Sequence, residues 1–312
     1  MSVLLGMDLG GTRLRAARGD ETGAIQNRVE VLTDRTTGCK DLVRQIVDVA
    51  DTALGGEKPA FIAVAAPGPL DARTGVLFHP VNFAVDDIPL RAALEDHFGV
   101  PAVVHNDANV AALGEWKHGG HGSTEHLIYV TISTGVGAGI ISDGRLIDGF
   151  NTTAGEIGHT IIDPNGPRCG WGHRGCVEII CSGTSIARAA NERLQAGERS
   201  VLKPPVAAED VAQATREGDK LAREVFFHAA DTLGLAVVNL IHLFSPEIVV
   251  LGGGVTRAGE LLFEPVRARI AHDAMRATIA SVRVCPSRLG DDVGLVGALT
   301  LARMHVEANG GT

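Results

Sequence analysis

The feature that most constrains this chain is a unit that occurs twice: an apolar strand, a glycine-rich turn and a second strand. The first copy runs from Val3–Asp8 through Leu9-Gly10-Gly11-Thr12 to Arg13–Arg18, and the second from Leu127–Ile132 through Ser133-Thr134-Gly135-Val136-Gly137 to Ala138–Ser142. An Asp143-Gly144 hairpin signal follows, before Arg145–Ile147. Around the first copy, Leu42, Val43, Ile46, Val47 and Ala50 have helical spacing, Phe61–Ala65 reads as a strand, and Pro101–His105 as another ending at Asn106-Asp107. Around the second, Leu221, Val225, Ala229, Leu233, Val237 and Leu240 mark a long helix before the buried strand Ile248–Leu251 and its Gly252-Gly253-Gly254 turn. Strands alternating with helices predict two α/β lobes with a cleft between them. The expected division is a small lobe of residues 1–115 plus 293–312, and a large lobe of 116–292 with a loop module at 155–183 rich in Gly, Cys, His and Pro.

Composition narrows the classes of function. A length of 312 residues suits two cores, and a formal net charge of -9 without a Lys/Arg cluster argues against a nucleic-acid partner. The opening Val3-Leu4-Leu5-Gly6-Met7-Asp8 reads as a buried strand and not as a signal peptide, and no run reaches the roughly 18 uninterrupted apolar residues of a membrane span. Five cysteines, an odd number, suit a reducing compartment better than a disulfide framework. The expectation is a soluble cytoplasmic protein with no membrane partner.

Asp8 sits at a strand end, and the amides of Gly10 and Gly11 can approach phosphate without a Cβ in the way, while Thr12 supplies a hydroxyl. A phosphate cradle with Asp8 toward Mg²⁺ and an ordinary hairpin turn are both compatible with this motif alone. The turn at Thr134-Gly135 repeats it, and no G-x-x-x-x-G-K-[ST] loop is present. Gly253 and Gly254 suit either a platform for adenine and ribose or a helix-packing turn. Asp107, after a strand and before an Ala-rich helix, is either a general base or a helix N-cap, with Asn106 able to take the capping role.

Taken together and in order, Asp8-Leu9-Gly10-Gly11-Thr12, Pro67-Gly68-Pro69, Asn106-Asp107-Ala108-Asn109, Ser133-Thr134-Gly135-Val136-Gly137, Glu156-Ile157-Gly158-His159, the cysteine loop with Glu178, and Pro246-Glu247 to Val255 resemble the ROK family of sugar kinases and regulators, and within it the bacterial glucokinases. The resemblance spans nearly the whole chain. It implies the two-lobed actin/hexokinase-like, ribonuclease H-like ATPase fold, phosphoryl transfer from ATP with Mg²⁺ to the 6-hydroxyl of a hexose, and a homodimer or homotetramer. It further implies that Asp107 takes the hydroxyl proton and that Gly68, Asn82, Asn106, Glu156, His159 and Glu178 contact the sugar. Asp8, Gly10, Gly11, Thr12, Thr134, Gly135, Gly253 and Gly254 would serve the nucleotide.

The family's cysteine loop carries a structural zinc, which here would rest on His159, Cys169 and Cys176. The middle cysteine of the family pattern is Trp171. Indole is no zinc ligand, and structural zinc takes four, so His173, Cys181 or water would have to complete the set, or Trp171 would stand in for the metal as an apolar plug. Glucose is the first expected substrate, with N-acetylglucosamine, N-acetylmannosamine, fructose and mannose as alternatives. A sugar-sensing regulator would need a helix-turn-helix, for which the first strand at Val3 is expected to leave no room. An actin-like ATPase would give the Glu156–His159 motif no purpose.

Overall fold

The computed structural model describes residues 2–20, 24–79, 83, 85, 87–279 and 282–310. The chain forms two compact units, one of Met1–Ser123, Leu146–Ala154 and Arg288–Thr312, the other of Thr124–Arg145 and Gly155–Ser287. The fold is α/β with two mixed sheets, one in each unit.

The first unit comprises β1 (Leu4–Leu9), β2 (Arg13–Gly19), β3 (Ile25–Leu32), α1 (Cys39–Leu54), β4 (Phe61–Ala66), the short strands β5 (Leu70–Asp71), β6 (Val76–Leu77) and β7 (Ile88–Pro89), α2 (Leu90–Phe98), β8 (Ala102–Asn106) and α3 (Asp107–His118). The five-stranded sheet has the order β3-β2-β1-β4-β8, antiparallel across the hairpins and parallel from β1 through β4 to β8. The central strands β1 and β4 are buried on both faces, which is why they read as continuous apolar runs. β3 is a half-exposed edge strand and lacks that signature. Helix α1 lays Leu42, Ile46, Val49 and Ala53 into the core and ends at Gly55 in the left-handed region (φ 62°), which favours glycine.

The second unit comprises β9 (Leu127–Ile132), β10 (Val136–Ser142), β11 (Arg145–Leu146, whose last residue begins the first unit's segment 146–154), α4 (Val177–Cys181), α5 (Gly183–Gln195), α6 (Ala208–Arg216), α7 (Lys220–Phe244), β12 (Ile248–Gly252), α8 (Glu260–Asp273), α9 (Arg276–Ile279) and β13 (Arg283–Pro286). Its sheet order is β11-β10-β9-β12-β13, with β9 antiparallel to β10 and parallel to β12. The two sheets therefore share one plan, in which a central strand turns tightly into an antiparallel partner and takes a parallel strand on its other edge. α7 is long and apolar enough to cross a membrane by length and composition, but 67% of its most apolar stretch is buried inside the fold, as in a core helix. The last helix, α10 (Val293–Gly310), packs on α3 and β1 of the first unit. The approach to α3 is close: a Cβ on Gly114 would lie 2.9 Å from the amide nitrogen of Gly297.

The units depart from the expected division at 116–123, 146–154 and 288–292, all of which belong to the first unit. The stretch 146–154 is tied there by specific contacts. Thr152 Oγ1 accepts the Ala72 amide at 3.1 Å, and Asp148 lies 3.0 Å from His105. The loop module at 155–183 is also more regular than expected, since it holds a 3-10 turn at Ile157–His159 and the short helix α4.

Candidate active site

In the first unit, β1 delivers Asp8 to the turn. Its carboxylate lies against Gly294, where a Cβ would come within 2.8 Å of Oδ2, and 3.3 Å from Arg15 Nη1. Burial pushes the Asp8 pKa up, and the Arg15 guanidinium only partly offsets this. Arg15, which sequence reasoning passed over, also binds Glu30 and the Asp291 carbonyl. The amide of Gly10 donates to the Arg13 carbonyl at 2.9 Å, and Thr33 Oγ1 donates to the Gly10 carbonyl at 2.7 Å. The Gly10 amide is thus committed to closing the hairpin, which departs from the expectation that both glycine amides are open to phosphate, while Thr12 is exposed. One carboxylate beside an open turn is a fitting donor set for Mg²⁺, an ion that commonly takes one or two protein carboxylates and completes its shell with phosphates and water.

β8 carries the chain into α3 at Asn106-Asp107. The Asn106 side chain accepts the amides of Ala108 (3.0 Å) and Asn109 (3.2 Å), so the N-cap is Asn106. Asp107, the exposed first residue of the helix, accepts the Ala108 amide at 2.8 Å through Oδ1. Gly68 lies in the half-buried turn that follows β4. Asn82 lies outside the described residues.

In the second unit the expected residues assemble around the turn between β9 and β10. Glu178, on α4, accepts the Val136 amide at 3.0 Å through Oε2, and the same oxygen would lie 2.5 Å from a Cβ on Gly135. Gly158 presses on the Val136 carbonyl so closely that a Cβ would overlap it. The Glu156–His159 motif and Glu178 are therefore built directly onto the Thr134-Gly135-Val136 turn. Nothing in the sequence signals that contact, because 42 residues separate Glu178 from Val136. Glu156 retains solvent contact, yet desolvation by its neighbours raises its pKa, with His159 opposing and Glu178 adding to the rise.

Beside this turn lies a cavity of about 520 Å³, within the usual size range of small-molecule sites. Ser133, Thr134, Gly183, Gly254, Val255 and Arg257 are among the residues that line it. Gly253 takes φ 88° with no room for a Cβ against Ile132, and a Cβ on Gly254 would meet open space. Gly254, at the end of the Gly252–Gly254 turn, thus borders the cavity. Gly183 and Thr184, at the start of α5, were not anticipated as part of it, although Ser182 at the N-cap position was a legible helix start.

The zinc expected from the resemblance does not fit these residues. Among the described residues no three His, Cys, Asp or Glu side chains are placed to hold a metal ion. Cys169 and Cys176 hydrogen-bond through their thiols, and burial pushes the Cys176 thiol up. His159 Nδ1 is buried without a partner, its ring edge-on to Trp171 at 6.1 Å and to His173 at 6.3 Å. Trp171 is 56% exposed, so it is no apolar plug either. Main-chain bonds hold the loop together, among them Ile162 N–H to Gly175 O, Cys169 N–H to His173 O and Gly175 N–H to Pro167 O, each 2.8 Å.

Two mixed sheets of one plan, each with a glycine turn at the end of its central strand, define a two-lobed α/β protein. A sequence model described as "ROK family" matches residues 4–305, and the chain belongs to that family. It is 33% identical over 311 residues to a glucokinase of Thermotoga maritima, covering 97% of this chain and 98% of the relative. A glucokinase of Halalkalibacterium halodurans is 36% identical, with 96% and 95% covered. The crystal structure of a ROK family glucokinase from Streptomyces griseus in complex with glucose and AMPPNP superposes with a TM-score of 0.80 at 32% identity, covering 97% of this chain and 99% of that one. An N-acetylmannosamine kinase of Citrobacter koseri is 33% identical over 96% of this chain, whereas the repressor Mlc of Escherichia coli matches 78% of this chain and 60% of its own length.

Proposed function

We propose that the chain is an ATP-dependent hexose kinase that converts glucose to glucose 6-phosphate. The observation that carries this reading is the joining of Glu156–His159 and Glu178 to the Thr134-Gly135 turn, which couples a cluster of polar groups suited to sugar hydroxyls to a phosphate-binding loop. Whole-length similarity to glucokinases supports it over a regulator, as do aspartates at both position 8 and position 107.

In this reading Asp107 accepts the proton of the attacking hydroxyl. Gly68, Asn82, Asn106, Glu156, His159 and Glu178 fix the ring, and a sugar that lacks a matched hydroxyl leaves one of these groups unpaired. Gly11, Thr12, Thr134 and Gly135 hold phosphate oxygens, and the cavity beside Gly254 takes the base and ribose. Mg²⁺ at Asp8 would supply neutralisation of phosphate charge. Phosphoryl transfer asks little more of a protein than alignment and charge compensation. Assembly as a homodimer or homotetramer in the cytoplasm belongs to the same proposal.

The equal identity to an N-acetylmannosamine kinase favours N-acetylhexosamines as the second reading. A coupled ADP-release assay with ATP and Mg²⁺ across glucose, mannose, fructose, N-acetylglucosamine and N-acetylmannosamine separates the two. Preference for glucose supports the first reading, preference for an N-acetylhexosamine replaces it with the second, and binding of a sugar without ADP release contradicts both.

A further inference from the structure

β8 is a strand of small and apolar residues until its last two positions, His105 and Asn106. His105 is only 6% exposed, and the reading above gives it no task. Its Nδ1 accepts the Asn106 amide at 2.8 Å, so that nitrogen carries no proton and the ring proton sits on Nε2. Nε2 lies 3.0 Å from Asp148 Oδ1, a close contact off the line of a hydrogen bond.

Both neighbours of the imidazole matter. Asn106 is fixed at its backbone by His105 and at its side chain by the two α3 amides it caps, and Asp107 is the next residue. Asp148 opens the loop 148–154, which is folded by its own carbonyl accepting the Ala154 amide at 3.0 Å and pinned by Thr152 to Ala72. After Ala154 the chain enters the other unit and reaches Glu156 within two residues.

We propose that His105, oriented by Asp148, is a positioning residue that fixes the Asn106 peptide and through it the direction of the Asp107 carboxylate. This rests on the reading of Asp107 as the base. The two ring contacts can be removed separately. Asparagine places an acceptor near the Nδ1 position and so can keep the Asn106 contact. Glutamine reaches the Nε2 position and keeps only the contact with Asp148.

The test is steady-state kinetics of His105→Asn, His105→Gln and Asp107→Asn, with His105→Gln repeated in the Asp107→Asn background and thermal unfolding of every variant. His105→Gln is expected to lower kcat by about 10–100-fold, the effect of a misplacement of up to about 1 Å, with KM for nucleotide unchanged. His105→Asn is expected to keep kcat within a few fold. In the Asp107→Asn background His105→Gln is expected to cost nothing more, since its effect passes through the missing carboxylate. Equal loss in the Asn and Gln variants, tracking loss of Tm, or a full further loss in the Asp107→Asn background would overturn the proposal.

Asp107→Asn with near-normal turnover overturns the base assignment and this proposal with it. An inactive Asp107→Asn beside a His105→Gln of normal kcat overturns the role of His105 alone. Asp148→Ala, a half-exposed loop substitution, serves if His105→Gln folds poorly. It is expected to lower kcat in the same direction and to add nothing to Asp107→Asn, and an unchanged kcat counts against the proposal.

Discussion

In the proposed kinase, replacing Glu178 distinguishes a residue that only touches sugar from one that also builds the turn assigned to phosphate. Its Oε2 accepts the Val136 amide at 3.0 Å and buttresses Gly135, so Glu178→Ala removes a charge-assisted bond from a partly buried donor. Such a bond contributes about 1.5–3 kcal/mol. If that energy holds the turn in its phosphate-binding shape, nucleotide affinity falls by about 10–100-fold, at about 1.4 kcal/mol per factor of ten. Glu178→Gln can turn its amide oxygen to the same donor and keeps a neutral bond worth about 0.5–1.5 kcal/mol, so its loss is expected to be smaller. The assay is titration calorimetry with AMPPNP in the absence of sugar, beside KM for both substrates. Glu156→Ala is the control, expected to raise KM for sugar alone. Unchanged nucleotide affinity in Glu178→Ala would refute the reasoning and reduce Glu178 to a sugar contact.

Gly158→Ala forces a methyl into the Val136 carbonyl and is expected to cost about 1–3 kcal/mol of stability, read as a fall in Tm, together with weaker binding of nucleotide and sugar. Asp8→Asn should abolish turnover yet raise Tm at neutral pH. The folded pKa of Asp8 is raised, so its favourable contribution is present only below the ordinary aspartate range and is lost as pH rises through the folded value. The gain in Tm should therefore shrink as the pH of the melting experiment is lowered, and a Tm penalty at neutral pH would contradict this. Elemental analysis of protein grown with zinc should find no stoichiometric metal, and a chelator should leave Tm unchanged, because the cysteine loop is held by main-chain bonds.

Much of the fold was legible because its central strands are buried on both faces. β9 begins and ends where its apolar run does, and β1, β4, β8 and β12 lie within one residue of their expected bounds at either end. The edge strand β3 carries no such run, since every residue in it is half-buried or exposed. The assignment of 146–154 to the first unit depends on Asp148 meeting His105 and Thr152 meeting Ala72, contacts across 43 and 80 residues that no local pattern encodes. The same holds within the candidate site. Motif positions singled out Glu178 and Gly135 as candidates, but only the fold brings the carboxylate to the turn. The capping role of Asn106 was open to sequence reasoning, because an Asn before an Ala-rich helix is a local signal.

The central claim is that Asp107 is the base of a hexose kinase. The most direct measurement compares the wild type with Asp107→Asn for glucose-dependent ADP release, with glucose binding measured on the same samples. The account predicts that the variant binds glucose as the wild type does and turns over slower by about 10²-fold or more. Near-normal ADP release by a variant that binds glucose normally would contradict it.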